Sequence, residues 1–172
     1  MQILLVVGSL QRRSANRALL ELLASARDGA TFVRALPLGD VPHYDSDLED
    51  DPPEVVTKWR SQLRDADAVV FASPEYGHGV SGVLKNALDW IVRSGELGEK
   101  PVAATCAAQG KGRGLLGTAA LVQTLRAIDA RVVWSSNLEV PRDTIDERGR
   151  IDSAPVRAAA AELLETLIRA TT

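Results

Sequence analysis

Residues 8–16 read Gly-Ser-Leu-Gln-Arg-Arg-Ser-Ala-Asn and directly follow the apolar run Ile3-Leu4-Leu5-Val6-Val7. A short apolar run that breaks into a Gly/Ser loop and then a helix is a strand–loop–helix cradle for phosphate. The helix N-terminus leaves N–H groups unpaired and carries partial positive charge. Ser9, Ser14 and Asn16 add side-chain donors. No Gly-Lys-Ser/Thr follows, which excludes the nucleoside-triphosphate loop, and the dinucleotide turn Gly-x-Gly-x-x-Gly is absent from this junction. A second reading stands beside the first: a helix capped by Ser14 after an edge strand.

Two further loops carry unusual chemistry. Ser73-Pro74-Glu75-Tyr76-Gly77-His78-Gly79-Val80-Ser81-Gly82 brings backbone close to a flat ligand, with Tyr76 able to pack beside it. Ala107-Ala108-Gln109-Gly110-Lys111-Gly112-Arg113-Gly114 is a Gly-rich loop whose amides can approach a ring edge. It contains Gly112-x-Gly114-x-x-Gly117, a weak match with no acidic residue at the dinucleotide spacing. His43 has no partner at metal spacing. The run Asp45, Asp47, Glu49, Asp50, Asp51 reads as a solvated loop and helix start, and Cys106 as an inert core thiol at a strand end. No Gly-x-Ser-x-Gly elbow supports a hydrolase.

The elements that position these loops alternate. Strand-length apolar runs fall at Ile3–Val7, Thr31–Leu36, Ala68–Ala72, Val102–Cys106 and Arg131–Trp134. They are near-continuous, as in strands buried on both faces. Helical patterns lie between them: Asn16–Ala26, a helix opened by a capping Asp51 and Pro52-Pro53-Glu54, Ser81–Val92, Gly114–Ile128 and Asp152–Ala170. Strict βα alternation predicts an α/β three-layer sandwich: a parallel sheet with right-handed crossovers and helices on both faces. Five strands favour the order 2-1-3-4-5 over the 3-2-1-4-5 type. Ligand then binds beyond the carboxyl ends of the strands, where the loops after Val7, Ala72 and Cys106 converge.

The 172 residues are expected to form one domain spanning 1–172. A net charge of −3 argues against a nucleic-acid partner, which requires a basic footprint. The first apolar run is too short for a signal peptide or membrane span, and the single Cys106 suits a reducing compartment. The expectation is a cytoplasmic protein.

The segment Leu84-Lys85-Asn86-Ala87-Leu88-Asp89-Trp90 brings a resemblance with it. Gly-Ser-Leu-x-x-x-Ser-x-Asn, then Pro-Glu-Tyr, then Leu-Lys-Asn-Ala-Leu-Asp-Trp, together with Pro42-x-Tyr44-Asp45-x-Asp47, resembles the NAD(P)H-dependent FMN reductase family. That family is flavodoxin-like and includes quinone and chromate reductases. The resemblance implies FMN as cofactor and NADPH or NADH as electron donor. It implies hydride passing to the flavin and on to a small-molecule acceptor such as a quinone or free flavin. Ser9, Gln11, Arg12, Ser14, Ala15 and Asn16 would hold the FMN phosphate. Pro74, Glu75, Tyr76 and Gly77 would line the ring chiefly through backbone, with Ala107 and Gly110 at its other edge. Lys85 and Asp89 would be structural or interfacial, and Arg93 would face the dinucleotide or a neighbouring subunit. No single side chain is implied as catalytic. A homodimer or homotetramer is implied.

The chain departs from that pattern at Gln11, where the family has Arg, at Gly77, where it has Asn, and at Ser81, where it has Pro. Two other classes remain at this stage: a one-electron flavodoxin-type carrier, and a flavin-free binding or scaffold relative. Carriers flank the ring with aromatics, of which only Tyr76 is available here.

Overall fold

A computed structural model describes residues 1–26 and 29–171. Five parallel strands form the central sheet: β1 (Gln2–Val7), β2 (Thr31–Arg34), β3 (Ala68–Ala72), β6 (Pro101–Ala108) and β7 (Arg131–Glu139), in the order β2-β1-β3-β6-β7. Counted over these strands alone, this is the expected 2-1-3-4-5. The additional pair β4 (Glu75–Tyr76) and β5 (Gly79–Val80) forms an antiparallel hairpin within the loop after β3.

The period-2 alternation of the strands sorts the core into two layers. Ile3, Leu5 and Val70 face α1 (Ala15–Ala24) and α5 (Ala154–Arg169), packing on Leu19, Leu23, Leu163 and Leu167. Leu4, Val6, Val69 and Phe71 face α2 (Glu54–Asp65), α3 (Gly82–Asp89) and α4 (Leu115–Ala127), packing on Trp59, Leu63, Leu84, Leu88 and Leu121. β3 and β6 are buried along their whole length. The edge strands β2 and β7 are only partly buried, so the expectation of burial on both faces holds for the centre of the sheet alone.

Boundaries shift for local reasons. β2 ends at Arg34: the Ala35 N–H still donates to the Leu5 carbonyl at 3.0 Å, and the Leu36 N–H donates to Gln62 Oε1 at 2.9 Å on the side away from β1. α2 starts at Glu54 with Pro53, not Asp51, at its N-cap. The residue before a proline is held extended, so Pro52, which precedes Pro53, cannot take the first helical position that a cap at Asp51 would require. α3 ends at Asp89, short of Val92, and the Trp90 carbonyl accepts from the Arg60 guanidinium at 2.7 and 3.1 Å. β7 runs past Trp134 to Glu139 because the eight-residue β6 offers partners that far, with a bulge at Val133.

β1, β3 and β6 are neighbours, so the three chemical loops leave the sheet side by side. The ladder persists into them: Gly8 N–H donates to the Ala72 carbonyl at 2.8 Å, and Ser73 N–H to the Thr105 carbonyl at 3.0 Å.

Candidate functional site

The loop after β1 delivers α1 with its N-terminus bare. Ser14 occupies the N-cap in extended conformation, yet its hydroxyl makes no capping hydrogen bond. The first turn of α1 holds no acidic residue. Ser9 and Ser14 are buried, and the Ser9 hydroxyl accepts from the Gln11 N–H at 3.3 Å. Ser14 therefore does not act as a side-chain cap. The arrangement is a ten-residue helix presenting its N–H groups and two serine hydroxyls to a cavity wall, which suits an anion.

Asn16 has a structural task besides the donor role read from the sequence. Its Oδ1 accepts from the Ala107 N–H at 2.8 Å, in a buried bond between residues 91 apart. This ties the start of α1 to the end of β6. Ala107 therefore lines the cavity with its own amide already engaged, so that amide cannot meet a ring edge.

The loop after β3 is shaped by a two-residue turn. Gly77 and His78 both have positive φ, +55° and +62°. Both central residues of a type I′ turn take such angles, and Gly and Asn are the residues that adopt them most readily. Glycine where the family has asparagine thus preserves the turn. Glu75, at the base of the hairpin, reaches α4: its Oε2 accepts from the Gly117 N–H at 2.8 Å, and its Oε1 lies 3.2 Å from His78 Nδ1. The Gly117 amide holds the Glu75 carboxyl below its ordinary range, and His78 adds to that. Glu75 caps a helix whose own N-cap, Gly114, has no side chain.

Gly114 closes the loop after β6 at φ +82°, and a Cβ there would stand 2.7 Å from Cys106 Sγ. Asn137 on β7 braces the same turn, donating to the Arg113 carbonyl at 3.0 Å and accepting from Thr118 Oγ1 at 2.5 Å. Burial pushes the Cys106 thiol up, away from the reactive thiolate.

These parts surround a cavity of about 1160 Å3 over the carboxyl edge of the sheet. Ser9, Gln11, Arg12, Ser14, Ala15, Asn16, Pro74, Glu75, Tyr76 and Ala107 line it, as the sequence suggested. Gly77 and Gly110 do not line it: Gly77 sits at the exposed hairpin tip and Gly110 bends its loop at φ +130°. Gln109 and Gly114 of the Gly-rich loop also line it, and sequence reasoning missed a turn after β7 that brings Arg142 and Arg148 to the wall. Its one signal in the sequence is the cluster Arg142, Arg148 and Arg150. Arg93 stays away, paired with Glu49 and Asp50 at 2.9 and 3.3 Å.

The Leu84–Trp90 motif is architectural. Asn86 Nδ2 and Trp90 Nε1 both donate to the Pro42 carbonyl at 2.9 Å, and Asn86 Oδ1 accepts from the Tyr44 N–H at 2.8 Å. Lys85 pairs with Asp89 at 2.5 Å. The motif fastens the segment after β2 to α3. No group of three or more His, Cys, Asp or Glu that could hold a metal occurs among the described residues, and no helix among them is long and apolar enough to cross a membrane.

The family model for NADPH-dependent FMN reductase matches residues 1–144. The chain belongs to that family. A 2-hydroxy-1,4-benzoquinone reductase of Burkholderia sp is 38% identical over 166 residues, covering 91% of this chain and 88% of the relative. A quinone reductase of Escherichia coli (strain K12) is 35% identical over 138 residues, 77% of this chain and 73% of the relative. In fold, the chain is similar to FerB, the flavoenzyme NAD(P)H:(acceptor) oxidoreductase of Paracoccus denitrificans, with TM-score 0.78 at 24% identity over 98% and 97% of the two chains. It also overlays an archaeal flavodoxin, with TM-score 0.62 at 12% identity over the full length of both. As a member of the FMN reductase family, the chain is an NAD(P)H-dependent flavin oxidoreductase and not a carrier.

The residues present fit FMN. Its phosphate suits the bare α1 N-terminus with Ser9, Ser14 and Arg12. The cavity exceeds the roughly 300–1,000 Å3 that drug-sized ligands occupy, which leaves room for a second substrate.

Proposed function

We propose that this reductase uses reduced nicotinamide to convert quinones to hydroquinones, with FMN held in the cavity above β1, β3 and β6. The observation that carries this reading is the helix N-terminus left bare at a cavity that also receives Pro74, Tyr76 and the Gly-rich loop. The two relatives just described are named for quinone reduction, which supports that acceptor class.

The chemistry supplied by bound FMN is two-electron transfer from a reduced nicotinamide to the acceptor. The chain supplies binding and orientation. Ser9, Ser14, Arg12 and the α1 amides hold the phosphate, with Gln11 and Ala15 beside them. Arg12 takes the part of the missing family arginine, since it lines the wall next to Gln11. Pro74 and the hairpin wall one side of the ring, and Glu75 fixes that wall by gripping α4. The two shifted groups nearest the ring are unsuited to proton transfer: Glu75 is ionised and occupied, and Cys106 is protonated and buried. This agrees with a site in which the cofactor carries the reaction.

The exposed Tyr76, Leu115 and Leu116 near the cavity support assembly into a homodimer or homotetramer. Titration of the purified protein with FMN, followed by flavin fluorescence and absorbance, tests the reading. One FMN bound per chain is expected. A chain that binds none, even at high FMN, contradicts it.

A further inference from the structure

The cavity crosses the top of the sheet. At one end stands the β4–β5 hairpin, fastened to α4 on the α2–α3–α4 face. At the other end, on the α1–α5 face, its wall runs down α1 past Arg17 to Glu21 and is completed by the turn after β7. That turn is built firmly. Asp146 Oδ1 accepts from the N–H groups of Arg148 and Arg150 at 2.9 and 2.8 Å, and Arg150 Nε donates to its other oxygen at 2.7 Å. Gly149 takes φ +78°, and Ile145 pairs with Ile151, which is buried against α5. Arg142 is oriented by Gln109, whose Oε1 accepts from its Nε at 2.7 Å.

The charge on this wall runs against the chain's net charge of −3. Arg12, Arg13, Arg113, Arg142 and Arg148 line the cavity. Apart from the Arg142–Gln109 bond, their side chains make no hydrogen bond or ion pair among the described residues. Of the acids on the same wall, Glu21 is engaged by Arg34, Glu75 by Gly117 and His78, and Asp146 by its own turn, while Glu147 stands next to Arg148 and offsets one of the five arginines. The phosphate at the α1 N-terminus needs only one of these guanidinium groups beside its serines. Arg142 and Arg148 on the turn, with Arg13 before α1, remain for further anionic groups at the end of the cavity away from the hairpin.

We propose that the turn after β7 selects the electron donor: Arg142 and Arg148, with Arg13 on the α1 side, take the 2′-phosphate of NADPH and make it the preferred donor over NADH. This rests on the reading of the cavity as an FMN and nicotinamide site. In the arrangement proposed, the nicotinamide meets the flavin on the hairpin side and the adenosine end of the donor reaches the turn, where the arginines lie. There the two donors differ by one phosphate monoester, carrying about −1.5 to −2 charges, and the planar guanidinium matches its oxygens in pairs.

The test is calorimetric titration of the FMN-loaded protein with adenosine 2′,5′-bisphosphate, adenosine 5′-monophosphate and inorganic phosphate. The bisphosphate is expected to bind roughly 10- to 100-fold tighter than the monophosphate or phosphate. Arg148→Ala and Arg142→Ala should each remove most of that preference, Arg148→Lys should keep part of it, and the KM for NADPH should rise more than that for NADH. Equal binding of the two nucleotides, phosphate binding as tightly as the bisphosphate, or an undiminished preference in the double alanine variant overturns the inference. FMN absorbance separates the failures. A yellow protein without discrimination sinks this inference alone, whereas a protein that binds no FMN sinks the proposed function and this inference with it.

Discussion

Asn16 and Ala107 are joined across the floor of the cavity, the side-chain oxygen of one accepting from the backbone N–H of the other at 2.8 Å. The bond couples the helix that receives the phosphate to the strand that leads into the Gly-rich loop. Asn16→Ala leaves a buried N–H without a partner, so a loss of about 1–3 kcal/mol is expected in chemical denaturation. Asn16→Asp keeps an acceptor and recovers part of that stability. Its carboxylate lies beside the phosphate position, so FMN affinity should still fall. Equal stability of wild type and Asn16→Ala would show that the bond contributes nothing.

Glu75 grips α4 through Gly117, and its pH behaviour follows from that grip. The folded carboxyl is held below its ordinary value. Its contribution to stability is therefore present above the ordinary carboxylate pKa of about 4.3 and lost as pH falls through the lowered folded value. Glu75→Gln is expected to melt below wild type near neutral pH, with the difference shrinking on acidification toward about pH 3. Thermal melts of both proteins across that range check this. A constant difference would mean that the charge on Glu75 is irrelevant.

The fold was largely legible because alternating apolar runs leave few ways to cover a parallel sheet. The hairpin inside the loop after β3 was not, since Glu75–Tyr76 and Gly79–Val80 are two residues each and carry no periodicity. At the site, the residues that line the cavity from the loop after β1 and from Pro74–Tyr76 were readable from their place at the strand ends. The roles of Asn16 and Glu75 were hidden, because each side chain bonds to a backbone amide far along the chain, and amides leave no trace in sequence. The turn holding Arg148 was hidden for a related reason. It reaches the cavity only because β7 continues to Glu139, five residues past the apolar run.

Arg12 lines the cavity beside Gln11 and is assigned the phosphate contact. Arg12→Ala should weaken FMN binding roughly 10- to 100-fold and reduce its salt dependence. Gln11→Ala should weaken it less. Fluorescence titrations at low and high salt distinguish the two, and a larger loss in Gln11→Ala would reverse the assignment.

Gly114 has no room for a side chain. Gly114→Ala places a Cβ 2.7 Å from Cys106 Sγ on a backbone at φ +82°. The strain and the clash together should cost about 1–3 kcal/mol, seen as a lower denaturation midpoint with unchanged slope. A smaller residue at 106, in Gly114→Ala with Cys106→Ala, should recover the part due to the Sγ clash and leave the part due to φ and to the 3.0 Å contacts with Asn137 Nδ2 and the Cβ of residue 106.

The central claim is that the chain holds FMN so that a reduced nicotinamide and a quinone can use it in turn. The direct measurement is anaerobic absorbance of the FMN-loaded protein. Addition of NADPH is expected to bleach the flavin, and addition of a benzoquinone to restore its colour with hydroquinone formed in equal amount. A flavin that stays oxidised under NADPH, or a reduced flavin that the quinone cannot reoxidise, would contradict the account.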